Sequence, residues 1–505
     1  MTLGQRLSKT AKEYPGNVAI VFGGKKYIYR ELDEKAEAFA AGLGSLGIGR
    51  GDKVALLLSN SPEFIIAQFG ASKAGCCVVP INTFLATPEI AHVLRDSGAK
   101  ALITGGSFSN RYKNLPQIDS LKHLILTEGE APGALSFDSL LIYGKTGPDA
   151  ESDEQPALIL YTSGTTGSPK GAVLSHRNLL ANAESSKAHF QVTKKDRFLL
   201  FLPMFHTFTF LVCILLPICV GARIIVLTSV MPFSNVLKAV VLDRVTFLVS
   251  IPTVYNLLAQ KKIPRIAFKF LSLRLCLSGA APLSKSTYDR FLANYPVPLL
   301  EGYGLTEASP VVCVNPLDGV RKQGSVGLPI PNVDVKIVDE HGRERATGEV
   351  GELATRGPNV MQGYYNNPDA TAETIKDGWL YTGDLGYMDE EGYIFIVDRK
   401  KDLILSHGMN IYPREIEEVL YQHPAVRQAA VIGIMDEHHG EMPKAFISTH
   451  PGATVTELQL KKFMRERLAT YKVPRKIEFL ENLPTNATGK LLKRELKDRE
   501  TAPVA

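Results

Sequence analysis

Short apolar runs recur along this chain at residues 53–58, 101–104, 157–162 and 223–227, and helix-like stretches such as 29–46 stand between them. Two strands that pair in parallel need a long crossover, and a helix packed on the sheet is the usual one. The alternation therefore predicts an α/β chain of parallel sheets covered by helices. At 505 residues the chain is too long for one ordinary core, and roughly two to four domains are expected. Glycine and proline punctuate it throughout, without internal repeats or low-complexity segments.

The hydrophobic fraction of 45% with 22% charged residues excludes a disordered or fibrous class, and a net charge of +5 is slight for this length. No nucleic-acid partner is expected. Cys76, Cys77, Cys213, Cys219, Cys276 and Cys313 lie in apolar surroundings without metal-ligand spacing, as buried thiols of a reducing compartment would. The first residues mix charged and apolar groups without the apolar core of a signal peptide, so a cytoplasmic protein is expected. Residues 198–220 approach the length of a membrane span, but Pro203 and Pro217 interrupt them. A buried strand at 198–202, a turn and a core helix from about Phe208 are predicted there.

Near residue 398 an apolar strand, 393–397, runs into Asp398-Arg399-Lys400-Lys401-Asp402. This charged run marks a domain boundary, giving domains at 1–399 and 400–505. Beyond it Pro413 opens a predicted helix over 414–422, a strand follows at 429–434 and a helix at 457–468, which together read as a compact α+β domain.

Between two apolar strands lies Tyr161-Thr162-Ser163-Gly164-Thr165-Thr166-Gly167-Ser168-Pro169-Lys170-Gly171. Its glycines let backbone approach an anion, and its hydroxyls and Lys170 offer donors to phosphate oxygens. Such a loop is suited to a polyphosphate. Pro169 stands between Gly167-Ser168 and the lysine, so the spacing is not that of a P-loop NTPase.

The loop resembles the signature of the adenylate-forming superfamily, which includes acyl-CoA synthetases, luciferases and the adenylation domains of peptide synthetases. Further segments similar to that family follow in its order: Gly51-Asp52-Lys53-Val54-Ala55, Ser278-Gly279-Ala280-Ala281-Pro282-Leu283, Tyr303-Gly304-Leu305-Thr306-Glu307, Tyr381-Thr382-Gly383-Asp384, Asp398-Arg399-Lys400-Lys401-Asp402 and Pro484-Thr485-Asn486-Ala487-Thr488-Gly489-Lys490. The resemblance implies a large N-terminal domain of fused α/β subdomains with a distorted β-barrel, and a small, mobile α+β C-terminal domain. It also implies an enzyme that joins a carboxylic acid to coenzyme A through an acyl-adenylate, using ATP and Mg2+.

By the same resemblance Thr162, Ser163, Gly164, Thr165, Thr166 and Gly167 with Lys170 would hold the phosphates. Gly279, Ala280, Ala281, Glu301, Gly302, Tyr303 and Gly304 would form the nucleotide slot, and Asp384 and Arg399 would take the ribose. Glu307 would be the Mg2+ ligand, with Thr306 at the α-phosphate; few carboxylates plus substrate phosphates is the usual magnesium arrangement. Lys490 matches the family's adenylation lysine, whose ammonium offsets the repulsion between carboxylate and α-phosphate. Lys401 matches the hinge, and Ser406, His407 and Gly408 would line the passage for the thiol arm, where some relatives have glycine in place of His407.

The acyl pocket is expected around His206, Phe208, Leu211 and Tyr255. These are mostly apolar, and no aspartate or arginine stands in the His206 stretch to pair with an amino acid or a dicarboxylate. A medium- or long-chain fatty acid fits best, then an aromatic acid; a ligase that loads a carrier protein shares every ATP-site motif. His206 either gates the pocket or is a hydrogen-bonded core histidine. A monomer or a homodimer, with or without loose membrane contact, suits the composition equally.

Overall fold

The computed structural model describes residues 1–144, 152–162, 169–261, 271–406, 409–436, 440–486 and 490–501. Among them the strands form four sheets, two of them large and mainly parallel at the centre, as the alternating pattern predicts. The larger has nine strands. Its parallel core runs Leu299–Gly304, Leu275–Ser278, Phe247–Ser250, Arg197–Leu200, Arg223–Val226 and Val18–Phe22. The second, of eight strands, carries Lys170–Ser175, Pro156–Thr162, Cys77–Pro80, Lys53–Leu57 and Ala101–Thr104 in adjacent positions.

The strands are buried on both faces, which is why they read as uninterrupted apolar runs. In the nine-stranded sheet Phe198 lies opposite Phe247 in register, and the two rings stack with centroids 4.6 Å apart. The helices Phe233–Leu242, Pro252–Ala259 and Lys285–Asn294 connect successive parallel strands and share one buried layer with them.

Where a distorted barrel is expected, the large domain carries a five-stranded antiparallel sheet that includes Asp334–Val338, Gly351–Arg356, Trp379–Met388 and Ile394–Arg399. The small domain has its own five-stranded sheet, with Val426–Asp436 against Gly440–Thr449 at its centre and a separate core around Ile404, Ile416, Leu460 and Ile477.

Element limits differ from the sequence reading by a residue or two at several ends. The helix expected at 29–46 is Tyr29–Ser45, and the one expected at 414–422 is Pro413–Tyr421, because proline fits the first helical turn, where its missing N–H is no loss. The helix expected at 457–468 stops at Arg465. The segment after Pro203 departs more: helix starts at Thr207, winds as a π-helix over Phe210–Leu215 and resumes as α over Leu216–Val220. The wider register precedes Pro217, which cannot donate a backbone hydrogen bond. Among the described residues no helix is long and apolar enough to cross a membrane. All six cysteines are buried and free.

Candidate active site

Thr162 closes one strand and Lys170 opens the next, and the two are paired antiparallel. The hydroxyl- and glycine-rich segment therefore leaves and re-enters the sheet at one point, which fixes both of its ends. Ser163, Gly164, Thr165, Thr166 and Gly167 lie outside the described residues.

At this point several distant residues meet. Thr162 donates through Oγ1 to Glu307 Oε1 at 3.4 Å, and the Tyr364 hydroxyl donates to the same oxygen at 3.1 Å. Lys170 Nζ stands 5.3 Å from the centre of the Tyr364 ring, so one tyrosine supports the loop lysine with its face and the carboxylate with its hydroxyl. Glu307 lies on the short 3-10 turn Thr306–Ala308, and Thr306 Oγ1 accepts from Thr207 Oγ1 at 3.1 Å. A cavity of about 280 Å3 adjoins Lys170, lined by His92, Asp96 and Tyr365 among others.

The neighbouring strand ends supply a slot of small residues. A Cβ on Gly279 would stand 2.9 Å from Phe208 Cζ, and one on Gly304 would stand 2.1 Å from the Pro310 carbonyl oxygen. Ala280 has φ +67°, an unusual conformation for a residue with a side chain. The Tyr303 hydroxyl donates to Asp384 Oδ2 at 2.6 Å, while Arg399 Nε meets Asp384 Oδ1 at 3.0 Å. Asp384 and Arg399 are register partners on adjacent antiparallel strands, so the pair is preset by the sheet. Glu301, directly before Gly302, is buried and accepts from the Leu283 N–H at 3.0 Å; burial pushes its carboxyl up to about 7.

Lys490 reaches this cluster from the far end of the chain. Its backbone is held reciprocally, with Lys490 N–H on Asn486 Oδ1 and Asn486 N–H on the Lys490 carbonyl, both at 2.8 Å. Burial first, then the charge of Arg399, pull its ammonium down to about 8, and Asp384 works in the opposite sense. His206 is drawn down to about 4 by burial and by the Lys490 charge, so it is neutral near pH 7. Its Nδ1 accepts from the Phe208 N–H at 3.3 Å, which leaves the ring proton on Nε2.

The other expected positions are more dispersed. Phe208 packs against two of the large domain's three buried clusters, Leu211 belonging to the one around Phe198 and Tyr255 to the one around Phe291. Tyr255 is fully buried, its hydroxyl donating to the Leu248 and Leu277 carbonyls at 2.8 and 3.0 Å. Lys401 sits in the single turn Lys400–Asp402 that joins the two domains' sheets. Ser406 is buried within the small-domain sheet; His407 and Gly408 lie outside the described residues.

Tyr364 and Thr207 were not found from the sequence. Tyr364 reaches the site because Gly363–Tyr364 pairs with Ala172 and Val173, a contact between remote segments that leaves no local trace.

Thr162 and Lys170, the hydroxyl-supported Glu307, the paired Asp384 and Arg399, and Lys490 from the small domain thus converge as the resemblance to adenylate-forming enzymes implies. The family model for AMP-binding enzymes matches residues 7–365 and that for their C-terminal domain matches residues 415–490, and the chain belongs to this family. It is 37% identical to a long-chain-fatty-acid–CoA ligase of Salmonella typhimurium, over 100% of this chain and 95% of that protein. It is likewise 37% identical to a feruloyl-CoA synthase of an Amycolatopsis species, over 98% of this chain and 99% of that one. Among solved structures, o-succinylbenzoate coenzyme A synthetase from Bacillus subtilis in complex with ATP and magnesium ion superposes with a TM-score of 0.85 at 31% identity, covering 98% of this chain and 99% of that one.

Proposed function

We propose that the chain ligates a carboxylic acid, of medium or long aliphatic chain, to coenzyme A through an acyl-adenylate, releasing pyrophosphate and AMP. The observation that carries this reading is the position of Lys490, whose ammonium stands in the field of Arg399 and Asp384 and itself lowers His206, although it comes just before the last helix of the chain. Domains at 1–399 and 400–505 would meet over the nucleotide, the first binding ATP and acid, the second contributing this lysine.

In the first half-reaction a carboxylate oxygen attacks the α-phosphorus, and the bond to the pyrophosphate oxygen breaks. Both reactants are anionic. Lys490 would hold the carboxylate and α-phosphate together as charge develops, and Thr306 would donate to the α-phosphate from its anchorage on Thr207. Lys170 and the loop begun by Thr162 would hold the outgoing phosphates, and Asp384 and Arg399 the ribose. The site fits a magnesium ion: both hydrogen bonds that support Glu307 fall on Oε1, an arrangement that holds the carboxylate in place for a hard cation. When bound, the ion would supply charge neutralisation at the phosphates.

In the second half-reaction the thiol sulfur attacks the acyl carbonyl, the bond to the AMP oxygen breaks and the thiol proton is lost to solvent. Turning about Lys401, the small domain would bring Ser406, His407 and Gly408 to the thiol arm. No cysteine is asked to act as nucleophile, consistent with burial raising every thiol well above its ordinary value. The free, buried thiols also support a cytoplasmic location.

The apolar pocket side chains and the likeness to a long-chain-fatty-acid–CoA ligase support an aliphatic acid; equal identity to a feruloyl-CoA synthase makes an aromatic acid the second reading. A panel of fatty and aromatic acids, scored by CoA-dependent AMP formation, tests both. Acid-dependent exchange of pyrophosphate into ATP with no AMP formed on adding CoA would point instead to a carrier-protein acceptor, and neither exchange nor AMP with any acid would end the reading.

A further inference from the structure

After the strand Gly351–Arg356 of the antiparallel sheet the chain runs as a strap, 357–362, and enters the eight-stranded sheet as Gly363–Tyr364. On its way the strap grips the turn Thr306–Ala308, which follows the strand Leu299–Gly304 of the nine-stranded sheet. The Met361 N–H donates to the Glu307 carbonyl at 2.8 Å. Asn359, 1% exposed, donates through Nδ2 to the Ala308 carbonyl at 2.9 Å. The strap is itself anchored, because the Pro358 carbonyl accepts from Asn178 Nδ2 at 2.8 Å and the Gln362 N–H donates to the Val173 carbonyl at 2.9 Å. Three sheets of the large domain are thus tied together at the turn that carries Glu307.

Tyr364 ends the strap. Its N–H donates to Thr371 Oγ1 at 2.8 Å, and the next N–H, of Tyr365, donates to the Gly171 carbonyl at 2.7 Å, one residue beyond Lys170. From this fixed backbone the hydroxyl reaches Glu307 Oε1 at 3.1 Å, while the ring centre lies 5.3 Å from Lys170 Nζ. Burial, then the charge of Glu307, push the hydroxyl well above the ordinary tyrosine value, so it remains a donor at neutral pH. A neutral donor orients a carboxylate without cancelling its charge, which is what a ligand for a hard cation needs.

We infer that Tyr364 is a positioning residue for the cation site: its hydroxyl fixes Glu307 through Oε1, leaving Oε2 to the cation, and its ring supports Lys170 for the same phosphates. The assignment rests on the adenylating reading above and deepens it. One side chain on a braced strap sets the spacing between the two positive groups the triphosphate must meet, and it acts through Lys170 and Glu307 without touching a reacting atom.

The test reads metal binding apart from turnover, with Mn2+ as the probe cation and α,β-methylene-ATP as a nucleotide that cannot be adenylated onto an acid; free Mn2+ is followed by electron paramagnetic resonance. Tyr364→Phe keeps the ring and removes the hydroxyl. Its complex with the analogue should bind Mn2+ about tenfold more weakly than that of wild type, the low end of the cost of losing such an outer partner, while the analogue binds unchanged when EDTA removes the metal. Tyr364→Leu should add a few-fold loss of metal-free analogue binding, since the ring no longer supports Lys170. In a Glu307→Gln background Tyr364→Phe should change Mn2+ affinity by less than about twofold. Palmitoyl-CoA formation from supplied palmitoyl-adenylate and CoA, which uses no triphosphate, should be unslowed in Tyr364→Phe. Unchanged Mn2+ affinity in Tyr364→Phe, an undiminished loss in the Glu307→Gln background, or a loss shared by metal-free analogue binding and the thioester step would overturn the hydroxyl's role and leave the ligase reading intact. Equal metal-free binding by Tyr364→Phe and Tyr364→Leu would overturn the ring's. A wild-type protein that neither binds the analogue nor shows acid-dependent pyrophosphate exchange would remove both readings.

Discussion

Lys490 is placed where its charge is wanted and also where burial and Arg399 oppose it, the balance holding the ammonium at about 8. In the free enzyme it is therefore mostly protonated at neutral pH and loses its proton just above. The expected outcome is that kcat/KM for carboxylate-dependent pyrophosphate exchange falls as pH rises through about 8, since that quantity reports groups of the free enzyme. Lys490→Arg keeps its charge to much higher pH, so the alkaline limb should disappear from its profile even if its rate is lower. Lys490→Ala should reduce exchange on the order of a hundredfold or more. His206, neutral until the pH falls to about 4, should contribute no limb above that value. A different constraint acts at Gly279, where the Phe208 ring occupies the space a methyl would need. Gly279→Ala should displace the ring and raise KM for the acid about tenfold, the usual scale for one misplaced methylene in an apolar pocket, as measured by initial rates at saturating ATP.

At the scale of elements, the residues that sequence order made visible are those whose neighbours in the chain are also neighbours in the site. Thr162 and Lys170 flank one loop, and Asp384 and Arg399 close a single antiparallel pair, so their motifs announce them. Tyr364 and Thr207 act across sheets, and the π-wound segment after Thr209 depends on how Phe210–Leu215 packs on the main core; periodicity carries neither fact. The same holds for the brace beneath the nine-stranded sheet. Arg274 Nε and Nη2 meet Asp196 Oδ1 and Oδ2 at 2.7 and 2.9 Å, and Asp196 also accepts from Thr246 Oγ1 and the Thr193 N–H, tying three strand entries together. Burial alone would raise this carboxyl, but those hydrogen bonds, with that from Arg274 foremost, hold it below the ordinary range. A depressed carboxyl stabilises the fold above its usual pKa, and that contribution is lost as pH falls through the depressed value. Asp196→Ala should cost roughly 2–3 kcal/mol, read as a lower midpoint of thermal unfolding at neutral pH, with the gap to wild type closing in acid.

For the whole molecule, the family segments and the α/β alternation made both domains and the order of their parts legible, but not their mutual pose. That pose is decided by side chains that meet only when the domains close, such as Lys490 in the field of Arg399 and Arg414 Nη1 on the Ile396 carbonyl. If one chain performs two half-reactions with different faces of its small domain, the connection between the domains must absorb the change, and only the turn Lys400–Asp402 and Leu403 lie between the strands Ile394–Arg399 and Ile404–Ser406. Proline at the centre of that turn would fix one dihedral at about −65° and impede rotation without altering either active face. Lys401→Pro should therefore retain most carboxylate-dependent pyrophosphate exchange and lose most thioester formation, even from supplied acyl-adenylate. The two rates are measured on the same preparation, so a folding defect would lower both together. Loss of neither would show that the domains do not turn here, and the second half-reaction would then have to proceed in the pose that holds Lys490 against Asp384 and Arg399.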